Sequence, residues 1–446
     1  MSLPPNDITP FQQRRARLLA RMRAQGGGIA VLPTAPAAMR NRDAEHPYRH
    51  DSDFYYLSGF IEPEAWLVLI AGADDRSLLF CRPRHPEQEI WEGLRWGPEA
   101  AAERFGFDDA HSIETLDQVL PDLLLDQPAL YAPMGLDDTR GKQMRGWLAA
   151  ARGRARAGRR APEQWRDLGV ALAEMRLIKD PDEIAAMRRA ARISAGAHAR
   201  AMRAARPGMH EYELEAELLY EFRRHGAQAP AYGSIVAAGA NACVLHYPAG
   251  DAVMKDGDLV LIDAGCEFDS YAADITRTFP VNGRYSGPQR ALYDLTVAAQ
   301  EAAAQVTRPG RSFNDGHLAA LRVLAQGLID EKLLEGSLDG VLESGAYSRF
   351  YMHRTGHWLG LDVHDAGDYR EPGPIGEERP WRMLQPGMVL TIEPGLYVRP
   401  ADDVPARFWD IGIRTEDDAL VTDTGCELLT RGVPVDAREI EALMRE

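Results

Sequence analysis

The chain has 446 residues, 45% of them hydrophobic and 26% charged, the proportions of a soluble globular protein. Its length exceeds what one hydrophobic core normally supports, which predicts two domains. The 67 acidic residues outnumber the 51 basic ones to give a formal net charge of −16, which argues against nucleic acid as a partner and leaves room for a cation-binding carboxylate cluster.

The opening stretch "MSLPPNDITPFQQRRARLLARMRAQ" lacks the uninterrupted apolar core of a signal peptide, and no later segment approaches the roughly 18 apolar residues of a membrane span. The four cysteines, Cys81, Cys243, Cys266 and Cys426, form no Cys-x-x-Cys pair, which speaks against a disulfide framework and against a thiolate zinc site. The expectation is a cytoplasmic protein without a membrane partner.

Within a first domain of residues 1–174, the first 150 or so alternate short apolar runs, "WLVLIAG" and "SLLFC", with helix-like stretches such as "PEAAAERFG", the pattern of an α/β domain. The basic run "ARGRARAGRR" that follows reads as a solvated loop rather than a binding patch. "LIKDPDEIAAMRRAARIS" then predicts a helix start: Asp180 caps, Pro181 takes the first helical position and Glu183 completes a capping box. The boundary is placed just before that helix, so residues 175–446 form the second domain.

This second domain carries an internal duplication. "ARPGMHEYELEAEL" from Ala205 is echoed by "TRPGRSFNDGHLAA" from Thr307, and "KDGDLVLIDAG" from Lys255 by "QPGMVLTIEPG" from Gln385. Aligned on their glycines, Gly257 matches Gly387, Gly265 matches Gly395 and Asp263 falls on Glu393, so each half places a carboxylate at the end of the same strand. The second half is longer by about 28 residues, in the region of a histidine-rich segment. A duplicated helix-helix-sheet unit is expected to pair into one sheet about a pseudo-two-fold, with the acids meeting near the axis.

"LVLIDAGCEFDSYAADITRTF" sets Asp263 and Asp274 inside core-like segments. A two-residue turn at Phe268 and Asp269 would place the two aspartates directly opposite each other, where like charges destabilise a sheet. A shared proton, a basic residue such as Arg277, or metal ions would have to neutralise them. "YMHRTGHWLGLDVHD" supplies His353, His357 and His364, three of the twelve histidines, on a segment whose Thr355-Gly356 and Gly360 argue for strand or loop over helix. "GIRTEDDALV" puts Arg414 and Glu416 on one face of an alternating strand. Asp263, Asp274, Glu393, Glu416 and one histidine make an oxygen-dominated set suited to Mn²⁺, Co²⁺ or Mg²⁺. Four carboxylates neutralise two dications, and two ions about 3.5–4 Å apart can hold a hydroxide for attack on a carbonyl.

With these residues in place the chain resembles the aminopeptidase P group of the pita-bread metallopeptidase family, from "DSDFYYLSGFIEPEA" in the N-terminal domain through Leu177 to Thr430 in the catalytic one. The resemblance implies an α/β N-terminal domain and an α+β pita-bread catalytic domain with internal pseudo-two-fold duplication. It implies an Xaa-Pro aminopeptidase activity on peptides with proline in second position, with two divalent metal ions, Mn²⁺ first and Co²⁺ or Zn²⁺ as alternatives. By the same resemblance Asp263 binds one metal, Asp274 and Glu416 bridge both, and His357 and Glu393 complete the other. Glu393 also accepts a proton from the bridging water. His353, His364 and His246 of "VLHYP" resemble substrate-contacting histidines, and Arg414 with Tyr397 resembles the pair that steadies the metal-binding acids. Tyr232 and Trp91 are the candidates for an aromatic proline pocket, and a homodimer or homotetramer is implied. A basic contact in the long segment "REPGPIGEERPWRML" stays unassigned among Arg370, Arg379 and Arg382.

The rivals are a prolidase acting only on Xaa-Pro dipeptides, a methionine aminopeptidase, disfavoured by the long N-terminal domain, and a metal-free peptide-binding module, disfavoured because none of the five ligands is missing.

Overall fold

The computed structural model describes residues 7–155, 158–374 and 376–446. It divides into two compact units, residues 1–175 and 176–446. The N-terminal unit is built on a six-stranded sheet of β1 (Gly28–Pro33), β2 (Trp66–Ala71), β3 (Arg76–Cys81), β4 (Asp109–Ser112), β5 (Ala129–Ala132) and β6 (Gln164–Asp167). The spatial order is β4-β3-β2-β1-β5-β6. β1, β2 and β3 pair antiparallel, whereas the outer pairings are parallel. Every residue of β1 is buried, as expected for an apolar central strand covered on both faces. The start of the basic run is helical rather than loop, completing the helix Asp138–Arg154; Arg159 pairs with Asp126 at 2.8 Å, and Arg156 and Ala157 lie outside the described residues.

The C-terminal unit begins with the helix announced by "KDPDE". Pro181–Ala204 is capped by Asp180, whose carboxylate accepts from the backbone of Asp182 and Glu183 while Glu183 returns the bond. It packs with Glu211–Arg224; the matching pair in the second half is Gly287–Val306 with Phe313–Asp330. The repeat extends to the backbone. Gly208 and Gly310 both have positive φ, +95° and +82°, as do Gly257 and Gly387, +89° and +90°, conformations that favour glycine. An isolated antiparallel bridge joins His210 to Val253 in the first half, and another joins Ser312 to Met383 in the second.

The strands are β7 (Ala229–Pro230), β8 (Ile235–Ala238), β9 (Leu259–Asp263), β10 (Cys266–Phe268), β11 (Tyr271–Ala272) and β12 (Thr276–Pro280), then β13 (Val389–Ile392), β14 (Gly395–Val398), β15 (Ile411–Arg414), β16 (Asp417–Val421) and β17 (Cys426–Leu428). They do not form the single sheet expected. β9 lies between β12 and β8, and β13 sits at the edge of a separate sheet with β16 and β17. The halves meet instead where Glu416 donates its backbone N–H to Thr276 O at 3.0 Å and the Thr278 hydroxyl donates to Arg414 O at 2.9 Å.

The hairpin register also differs. The turn is Asp269-Ser270, both with positive φ, and Phe268 pairs with Tyr271, the primed turn that matches strand twist. Asp263 therefore faces Thr276, and Asp274 lies diagonally from it, two residues along. Gly265 allows this close approach: a Cβ there would sit 1.7 Å from Ala273 O.

Candidate metal centre and its cavity

Asp263 ends β9, Asp274 precedes β12, Glu393 follows β13 and Glu416 links β15 to β16. His357 comes from an extended segment stitched to β13: its N–H donates to Thr391 Oγ1 at 3.1 Å, Thr391 N–H donates to His357 O at 2.9 Å, and Glu393 N–H donates to Thr355 O at 2.8 Å. Gly356 permits this, since a Cβ would lie 2.0 Å from Thr391 O. The segment is not helical, and all five proposed ligands line one cavity of about 700 Å³ together with Tyr232, His246, His353, His364 and Arg414.

Ligand atoms of Asp274, His357 and Glu416 lie within 4.8 Å of one another. His357 Nε2 is 3.4 Å from Asp274 Oδ2 and 3.7 Å from Glu393 Oε1. Burial and the neighbouring acids disfavour the charged form of most of these carboxylates. Burial, then Asp274, Glu393 and Asp263, push Glu416 well above the ordinary carboxylate range, and burial pushes Glu393 up to about 7 against the pull of His357 and Arg414. Asp263 is raised by burial despite Arg414. Burial would raise Asp274 too, but His357 holds it below its usual value; His357, which burial would lower, is lifted to about 9 by its hydrogen bond to Asp274.

Two observations fit divalent cations. Glu416 Oε1 is buried without a hydrogen-bond partner among the described residues, while its Oε2 accepts from the Thr276 hydroxyl at 2.6 Å. Tyr232 Oη lies 2.6 Å from Oδ1 of both Asp263 and Asp274, yet its one hydrogen can serve only one of them. An added positive charge satisfies both the orphan oxygen and the crowded pair.

Arg414, not Arg277, is the basic partner of Asp263. Its Nη2 is 2.6 Å from Asp263 Oδ2, and Nη1 donates to Tyr397 Oη at 2.9 Å. Arg277 turns to the buried Asp417 at 2.8 Å. Tyr397 Oη is also 2.9 Å from His353 Nε2, whose basicity burial and Arg414 lower to about 4. The His364 ring stands edge-on to His357 at 4.3 Å, and His246 lies on the exposed side of the cavity.

The aromatic candidates separate. Tyr232 lines the cavity and presents its hydroxyl to Asp263 and Asp274. Trp91 sits on the helix Pro86–Glu92 of the N-terminal unit and is 88% exposed. Arg370, Arg379 and Arg382 lie outside the cavity lining: Arg370 stacks 3.7 Å over Trp381, Arg379 pairs with Asp368 at 2.6 Å, and Arg382 is buried against the Asp368 carbonyl. Ile375 of that segment lies outside the described residues. Sequence reasoning missed Asp418, which is buried and accepts from the Asp274 N–H at 3.2 Å, and Glu215, a cavity-lining carboxylate on the helix Glu211–Arg224. The acid run "EDDAL" on an otherwise apolar strand was the available signal for the first; nothing in the sequence marked the second.

Residues 185–423 match metallopeptidase family M24, and residues 11–131 match the aminopeptidase P N-terminal domain. The chain belongs to metallopeptidase family M24. It is 45% identical to the Xaa-Pro aminopeptidase of Escherichia coli over 97% of each chain. It superposes on the aminopeptidase PepP of Pseudomonas aeruginosa with a TM-score of 0.95 and 49% identity over 99% of each chain. It also superposes on a zinc-substituted E. coli aminopeptidase P in complex with product, TM-score 0.94 at 44% identity over 98% of each chain. The C-terminal unit is thus the M24 pita-bread catalytic domain, and the enzyme is a metallo-exopeptidase.

Proposed function

We propose that this M24 enzyme removes the first residue from peptides whose second residue is proline, with two divalent ions held by Asp263, Asp274, His357, Glu393 and Glu416. The observation that carries the reading is the convergence of those five side chains, with three histidines, in one cavity of about 700 Å³. When bound, divalent ions polarise a scissile carbonyl and acidify water. The chain's own groups do the rest. Glu393, whose Oε1 lies 3.7 Å from His357 Nε2 at the cavity wall, is the carboxylate that would accept a proton from the attacking water. His353 is neutral and held by Tyr397, so it can hydrogen-bond to substrate without adding charge, while His246 and His364 offer further polar contacts to the peptide. Arg414 fixes Asp263, and Tyr232 spans both aspartates.

Mn²⁺ fits the oxygen-rich donor set best, with Co²⁺ and Zn²⁺ as competitors. Among the described residues no helix is long and apolar enough to cross a membrane. The four cysteines are free, three of them buried, which supports a cytoplasmic setting. Ile90, Trp91 and Leu94 are 81%, 88% and 65% exposed on the N-terminal unit, an apolar patch that supports a homodimer or homotetramer.

Side-by-side assay of an Xaa-Pro dipeptide and an Xaa-Pro-Yaa-Yaa peptide tests the reading. Cleavage of the longer peptide after its first residue is expected; exclusive cleavage of the dipeptide would reassign the enzyme as a prolidase.

A further inference from the structure

A second charged cluster, outside the ligand set, is withdrawn from water. Lys179 Nζ lies 2.9 Å from Asp365 Oδ2, and both side chains are 1% exposed. Arg176 Nη2 lies 2.5 Å from Asp365 Oδ1 and 2.7 Å from Asp362 Oδ2. The two acids belong to the loop that leaves His357 and carries Val363 and His364 into the cavity. Asp365 also closes that loop on itself: its Oδ1 accepts from the Asp362 N–H at 3.2 Å, and its own N–H donates to Trp358 O at 2.9 Å. Gly360 makes room, because a Cβ there would fall 2.3 Å from Asp365 Oδ2 and 3.0 Å from the Lys179 stem. Lys179 is itself pinned, its N–H donating to Gly387 O at 2.9 Å in the turn before β13.

Buried ion pairs rarely stabilise a fold more than an apolar plug of the same size would, whereas their directed bonds impose a geometry. His364 has no such anchor in its own side chain: among the described residues its ring contacts His357 but makes no hydrogen bond. The position of that ring therefore depends on the backbone on either side, and Asp365 is its immediate neighbour.

We propose that Asp365, clamped by Lys179 and Arg176, is a positioning residue for hydrolysis, setting the loop that presents Val363 and His364 to the substrate. The inference rests on the hydrolytic reading above. Lys179→Met should bind metal with wild-type stoichiometry yet lose about 10- to 100-fold in kcat/KM on an Xaa-Pro-Yaa-Yaa peptide. In a His364→Ala background the same substitution should add less than about twofold, because the residue it acts through is gone. Lys179→Arg, which restores the cation, should recover most of the loss. Full activity in Lys179→Met, or equal losses in both backgrounds, would overturn the proposal.

If Lys179→Met does not fold, Asp362→Asn at the half-exposed end of the clamp enters the same cycle, with a smaller loss expected and the same overturning result. Amide hydrogen exchange on the Mn²⁺-loaded protein gives a readout independent of turnover. Faster exchange at residues 360–365 in the variant is expected, and unchanged protection there would refute the clamp even if wild-type protein cleaved no Xaa-Pro peptide, a result that would by itself sink only the proposed function.

Discussion

Arg414 Nη2 sits 2.6 Å from Asp263 Oδ2 in a setting where both side chains are nearly sealed from water, 4% and 12% exposed. The aspartate thus offers one oxygen to a permanent cation and keeps the other for Tyr232 and the cavity. Arg414→Met should destabilise the protein by about 3–5 kcal/mol, since it strands a buried carboxylate. Arg414→Lys keeps a charge but loses the fork that also reaches Tyr397 and Thr276. Thermal melts should rank wild type above Lys and Lys above Met, and added Mn²⁺ should narrow the differences.

Protons and metal ions compete for the same atoms. His357, raised from 6.5 to about 9, and Glu393, raised from 4.5 to about 7, both hold protons in the metal-free fold that metal binding must displace. Apparent Mn²⁺ affinity should therefore climb as pH rises through about 7 and on towards about 9, with proton release visible in calorimetry across buffers of different ionisation enthalpy. Both groups bind protons more tightly folded than unfolded. Their contribution to the metal-free protein is thus present below 4.5 for Glu393 and below 6.5 for His357, and is lost by about 7 and about 9 respectively. Chelated protein should melt lower at the alkaline end, and metal should reverse the trend.

Asp274 touches His357, Tyr232 and, through its backbone, Asp418. Asp274→Ala is expected to reduce peptide cleavage to background and to lower bound metal, measured by elemental analysis. Near-normal turnover would contradict a two-metal site that this residue bridges.

Tyr232→Phe keeps the ring and removes the hydroxyl shared by the two aspartates. Weaker metal binding, on the order of tenfold, is expected, with KM for an Xaa-Pro peptide little changed at saturating metal. The reverse outcome, unchanged metal affinity with a raised KM, would restore Tyr232 to a purely substrate-packing role.

Gly265→Ala would drive a methyl into Ala273 O, 1.7 Å from the ideal Cβ position. A loss of about 1–3 kcal/mol is expected from that overpacking, accompanied by reduced metal content, because Asp263 at the end of β9 and Asp274 just before β12 flank the contact being forced apart. Denaturant melts with and without Mn²⁺ separate the two effects.

Local signals in the sequence translated well. The Asp180–Glu183 capping box and the matched glycines of the duplicated halves each rest on a few neighbouring residues, and the structure contains both. Errors arose where a choice of one or two residues propagates. Placing the turn at Asp269-Ser270 rather than Phe268-Asp269 needs two non-glycine residues at positive φ, which aspartate tolerates and sequence pattern does not demand. That shift moved Asp263 opposite Thr276. Arg277, three positions after Asp274, was one candidate counter-charge for the aspartate pair, but strand alternation sends it to Asp417, and the basic partner of Asp263 comes from β15, 151 positions away. Long-range pairings of this kind depend on how sheets from the two halves abut, which no local pattern encodes.

The duplication has a mechanical consequence. Asp263 and Asp274 come from the first repeat, and His357, Glu393 and Glu416 from the second, so neither repeat alone carries a complete coordination set. Ions held there would tie together two repeats that already share one hydrophobic core and cross-contacts such as Arg277 to Asp417 and Glu416 to Thr276. Parting the repeats would therefore break that shared core and release the ions together, so metal loss is an expected companion of global unfolding of this unit.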